Sequence, residues 1–272
     1  MFAVSRLFHE LYQFRELLLA LTLRDIRVKY KQAVLGVLWG FFVPGLVVLS
    51  GVLIRLAMAK IRGGTVSIEE IGSLMIRSLP WILFMNAVSA ASTSLTGNTS
   101  LVTKIYFPRE VIPTASLLSS LVDFTMAVVM VVGFLLLWPD SPIVWSWALL
   151  WVPLCMGLII VLVAAVGYVL AAANLFFRDV KYIVQLMLRF GIFFTPVYLG
   201  LQEIGFDSLT ARVLLLNPLS APMEMMAEAV LKGHVNPALY VWLAYSAVWS
   251  IGGFIVAAML FEEAEHLFAE YV

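Results

Sequence analysis

Residues 95–113 read Leu-Thr-Gly-Asn-Thr-Ser-Leu-Val-Thr-Lys-Ile-Tyr-Phe-Pro-Arg-Glu-Val-Ile-Pro, a polar island between two apolar segments, each long enough to cross a bilayer. Gly97, Asn98, Thr99 and Ser100 allow the backbone to turn and supply helix caps. From Ser100 to Phe107 the chain fits a short amphipathic helix with Leu101, Val102 and Ile105 on one face. Pro108 ends it, because proline lacks an amide donor and disfavours helical geometry in the residue before it. Lys104 and Arg109 place the loop on the cytoplasmic side. A short helix pinned there between two spans suits mechanical coupling to a soluble partner. The same residues also fit a plain capped turn.

The rest of the chain agrees with a membrane setting. Of 272 residues, 62% are apolar and only 12% charged, and the mean hydropathy is +1.00. A soluble domain has about half apolar and about a quarter charged residues. Net charge is zero, which argues against a nucleic-acid binder resting on phosphate contacts. The lone Cys155 reads as a small buried hydrophobe. No phosphate loop of the Gly-x-x-x-x-Gly-Lys-Ser/Thr type occurs, nor a Gly-x-Ser-x-Gly elbow, and His9, His234 and His266 are far apart. No metal site or catalytic residue is expected; the pattern is that of a conduit, with any ATP and Mg held by another chain.

Six spans are expected, at about 33–59, 71–95, 114–138, 143–176, 182–201 and 237–261. Ser5–Leu23 reads as an amphipathic helix lying on the membrane surface, and 24–31 as a basic anchor. The first span should loosen at Pro44-Gly45. Residues 202–236 are too long for a simple turn and fit either short outer helices or a re-entrant segment. The acidic tail begins at Glu262. With an even number of spans both termini share one side, and the basic residues choose it: ten fall in inner segments and four in outer loops. The expected class is an all-α membrane protein of six transmembrane helices, with an N-terminal amphipathic interface helix and short outer gate helices. The division is 1–32 for interface helix and anchor and 33–272 for the spanning domain, with 97–110 as coupling loop and 202–236 as outer gate.

Two charges fall deep in spans. Asp123 and Arg189 lie nine and seven positions from the inner ends of their helices, about 14 and 11 Å at 1.5 Å per residue. They are expected to pair, as a polar lining or as a structural ion pair. Trp39, Phe41 and Phe42, with Phe193, Phe194 and Tyr198, could offer aromatic faces to sugar rings; packed or lipid-facing aromatics read equally well.

Residues 23–39, Leu-Arg-Asp-Ile-Arg-Val-Lys-Tyr-Lys-Gln-Ala-Val-Leu-Gly-Val-Leu-Trp, resemble the approach to the first span of O-antigen and teichoic-acid exporter permeases. The stretches 105–113, 174–181, Thr195-Pro196-Val197-Tyr198 and Leu216-Asn217-Pro218 resemble the same ABC-2 type polysaccharide exporters. The resemblance implies the permease of an ATP-driven exporter of a lipid-linked polysaccharide (O-antigen, capsule or teichoic acid) in a bacterial inner membrane. It implies a second copy of the chain and a nucleotide-binding ATPase subunit as partners, besides membrane lipid. Ser100, Leu101, Lys104, Ile105, Tyr106, Phe107 and Arg109 would then form the coupling helix, and the aromatics a sugar path. The acidic tail departs from the basic character expected there. A stand-alone proton-coupled transporter using Asp123, or an ABC-2 exporter of drugs or small lipids, are the alternatives.

Overall fold

A computed structural model describes residues 2–31, 38–104, 107–139 and 141–271, and among these every regular element is helical. Five helices are long and apolar enough to cross a membrane: α3 (Trp39–Arg62), α4 (Ile68–Gly97), α6 (Val111–Leu137), α7 (Trp151–Phe176) and α12 (Ala238–Glu265). Between and around them lie α1 (Phe2–Gln13), α2 (Arg15–Tyr30), α5 (Thr99–Lys104), α8 (Val180–Gly191), α9 (Leu201–Ile204), α10 (Leu209–Leu215), α11 (Ser220–Leu231) and α13 (Phe268–Tyr271). Local chemistry sets several boundaries. Ser67 caps α4 by accepting from the Glu70 amide. Gly63, at φ 70°, closes α3 in the left-handed conformation that other residues resist. Pro44 sits inside α3, which continues through it.

The expected fifth span is the main departure. α8 has 12 residues, about 18 Å of helix against a hydrocarbon core of about 30 Å. A 3-10 turn at Ile192–Phe194 follows, and Thr195 is extended at φ −130°, ψ 156°. Pro196 explains the stop, since the residue before proline is pushed out of helical geometry. The chain then folds inward. All but one residue of α11 is buried, and it packs between α4, α7 and α12. The segment 202–236 thus holds the short helices α9 and α10 and the buried α11.

The amino end also differs from one flat helix. It breaks at Phe14 into α1, which lies on α12, and α2, which runs beside α6. A large core joins α4, α6, α7 and α11 around Leu74, Leu83, Leu135 and Met223. A smaller one, at the end of the helices where both chain ends lie, gathers Leu7, Leu95, Phe107, Tyr168, Phe261 and Phe268.

Candidate functional site

The loop 97–110, expected on the inner side, is built from its core side outward. Val102 and Phe107 are buried in the smaller core, and Leu101 is half-buried against it. Thr99, Ser100 and Thr103 are left exposed. Leu101, expected to face a partner, gives part of its apolar surface to the chain's own packing and keeps the rest accessible. Ile105, Tyr106 and the Lys104 side chain lie outside the described residues. Arg109 does not project as a free rim charge. Its amide donates to Glu265 Oε1 at 2.9 Å, and its guanidinium lies 3.5 Å from the same oxygen. Glu262 likewise receives Arg6 at 2.6 Å. The acidic stretch that looked anomalous in the sequence thus ties α12 to α1 and to the inner loop.

Glu110, beside Arg109 at the foot of α6, is buried with Oε2 unpartnered. Burial first, and then the nearby Glu265 carboxylate, push its carboxyl up to about 7. Its folded pKa is above the unfolded one, so its stabilising protonation is complete below about 4.5 and is lost as pH rises through about 7. Between those values stability should fall with rising pH by up to about 1.4 kcal/mol per unit. Glu110→Gln should flatten that slope and stabilise the protein at pH 8, read from thermal unfolding in detergent; an unchanged slope would show that Glu110 titrates normally.

Asp123 does not meet Arg189. It receives Lys29 Nζ and the Tyr30 hydroxyl from α2, while Arg189 is exposed on α8. Equal depth fixes the height of a side chain and not its direction around the helix, and α2 climbing beside α6 supplies the nearer cation.

A second polar centre lies towards the other end of the helices. Arg55 on α3 and Arg77 on α4 are 5% and 2% exposed. Glu203 Oε1 stands 2.7 Å from Arg55 and 3.7 Å from Arg77. Arg77 also holds Glu224 of α11 at 2.9 Å. Gly200 lies close beside them: a Cβ there would come 2.1 Å from Arg77 Nη1, so the guanidinium would have to move. Close by, Glu228 accepts from Gln202 and from the Asn236 amide, the latter at 2.8 Å. Both arginines lie within apolar runs of the sequence, but their glutamate partners lie 147 and 148 positions away, beyond any local signal. The only signal was the presence of acidic residues within a segment too long to be a turn.

Aromatic side chains complete the survey. Trp39 and Phe42 are exposed and meet edge to face at 5.5 Å. Phe41 is half-buried. Phe193 and Phe194 are exposed, with the Tyr198 ring 5.9 Å from that of Phe193. No ring pair among the described residues joins the two groups within one chain. Asn217 links the end of α8 to α11: its amide donates to the Phe194 carbonyl at 3.1 Å, and its Oδ1 accepts from the Leu219 amide at 3.0 Å.

Residues 16–231, spanning four of the five long helices and the whole segment from α8 to α11, match the ABC-2 type transporter family. The chain belongs to that family. This ABC-2 transporter is 30% identical over 268 residues to the "O-antigen export system permease protein RfbA" of Myxococcus xanthus, covering 98% of this chain and 99% of the relative. A protein of the same name from Klebsiella pneumoniae is 24% identical over 259 residues, with 94% of each chain covered. Five long apolar helices and the family together make the ABC-2 chain a multi-pass membrane protein and a transport component.

Proposed function

We propose that this ABC-2 transporter is the permease subunit of an ATP-driven exporter of a lipid-linked polysaccharide, of the O-antigen, capsule or teichoic-acid kind, in a bacterial inner membrane. The observation that carries the reading is similarity along almost the full length to a protein named for O-antigen export. ATP and Mg are held by a separate nucleotide-binding subunit that docks on the inner loop. Two copies of the chain pair with their α3 and α8 faces towards a common path, where Trp39, Phe42, Phe193 and Phe194 present exposed rings to passing sugars. The segment from α8 to α11 acts as a sixth, discontinuous crossing. Irregular backbone is tolerated at membrane depth where protein shields it, as α4, α7 and α12 shield α11. Both termini then face the cytoplasm, the side favoured by the basic residues. The proton-coupled alternative loses its candidate, since Asp123 is engaged by Lys29 and Tyr30.

A tagged chain purified in mild detergent should bring with it a phosphate-loop ATPase, two copies of each per particle. Recovery of the chain alone under conditions that preserve its fold would count against the subunit reading.

A further inference from the structure

Helix α3 touches the rest of the chain along one narrow seam. Among the described side chains its buried positions are Gly40, Pro44, Val48, Gly51 and Arg55, spaced four, four, three and four residues apart, a single stripe on a helix, with Val47 and Val52 partly buried beside it. A Cβ at Gly51 would come within 2.6 Å of Leu74 Cδ1, so the seam is already at closest approach. Other faces of α3 leave Leu46, Leu49, Leu53 and Leu56 exposed. Dispersion attraction grows with the number of touching atoms, and a stripe of mostly small residues offers few. At the outer end the grip passes to Arg55.

The two halves of the ionic centre are unlike. Arg77 and Glu224 have side chains only 2% and 5% exposed, although both border a small cavity beside Glu203. The Glu203 side chain is 35% exposed. It rides on the four-residue α9, between Gly200 and Gly205. Cavities of about 220 Å³ and about 190 Å³ flank it, the first lined by Arg77, Gln202 and Glu228 and the second by Arg55, Ala59 and Leu199. If Arg55 leaves, Glu203 keeps Arg77, now 3.7 Å away, and Arg55 keeps Glu70, now 3.6 Å away. Neither state strands a buried charge, which is the condition for two arrangements of similar energy.

We propose that Arg55–Glu203 is a releasable latch and Arg77–Glu224 a fixed anchor. Release swings the outer end of α3 away from α9 and merges the two cavities into one opening between them. The proposal rests on the export reading only for its purpose, the passage of a polymer past the outer segment.

The test uses the full-length chain in detergent with Ala59→Cys as a reporter in the smaller cavity, and needs neither ATPase nor substrate. Cys155 is buried and serves as the unreactive background. Glu203→Gln should raise the rate of thiol labelling at position 59 about tenfold or more, and Arg55→Gln should do the same. The double change should give no further increase, since either variant breaks the same contact. Glu224→Gln should lower thermal stability while leaving labelling unchanged. Unchanged labelling in Glu203→Gln, or equal effects of Glu203→Gln and Glu224→Gln on labelling and stability, would reduce the centre to a static ion cluster and overturn the latch. Because export is not measured, either outcome leaves the export reading to its own tests.

Discussion

Replacing Arg77 by glutamine should lower the stability of the folded chain by about 3–5 kcal/mol, the usual consequence of leaving one member of a buried ion pair without its partner. The stranded group is Glu224, 3% exposed inside α11. The loss should be cooperative, because α11 packs against three of the long helices and cannot leave alone. Replacing both Arg77 and Glu224 by methionine should recover most of the loss, since a buried pair exchanged for apolar side chains of similar volume is often close to neutral. Gly200→Ala should act in the same direction as the single change by driving a methyl group into the Arg77 guanidinium. Denaturant or thermal unfolding in detergent reads all four proteins. If the double variant is as unstable as the single one, the charges are not each other's main partners.

The second large effect concerns the inner loop, whose two faces should separate cleanly. Thr99, Ser100 and Thr103 point outward, while Val102 and Phe107 hold the loop to the smaller core. Ser100→Arg combined with Thr103→Arg should detach the ATPase and reduce export at least tenfold. Stability should stay within about 0.5 kcal/mol of the parent, as for most exposed substitutions. Phe107→Ala should do the reverse first, costing about 3–5 kcal/mol through the cavity it leaves. Co-purification of the ATPase, set beside unfolding of the membrane subunit, distinguishes the two. Retention of the ATPase and of export in the double arginine variant would move the docking surface elsewhere.

The helices were legible where the signal is local. Long apolar runs, Pro108 and the basic residues before the first span located four spans closely and the fourth in all but its first few residues. Residues 143–146 fall outside that span, which starts at the Ser146-capped 3-10 turn Trp147–Leu150 and runs on into α7. The fifth span failed for an equally local reason, because Thr195-Pro196 stands in the middle of an apolar run and hydropathy does not register a missing amide donor. Long-range pairing was not legible at all. Arg77 sits inside an apolar run, yet nothing periodic in the sequence connects it to Glu224. Asp123 and Arg189 were matched by depth alone, which neglects the direction in which each side chain leaves its helix. The Glu262–Glu265 stretch looked out of place for a free tail because it is the last turn of α12, with Arg6 and Arg109 as its partners.

One transport measurement bears on the whole reading. Inside-out vesicles containing this chain and its ATPase would be supplied externally with a lipid-linked polysaccharide, and the protected polymer counted with time. Accumulation should require ATP, Mg and the chain together, and should vanish in the Ser100→Arg/Thr103→Arg variant. Accumulation driven by a proton gradient without ATP, or ATP-driven uptake of small lipids with none of the polymer, would contradict it.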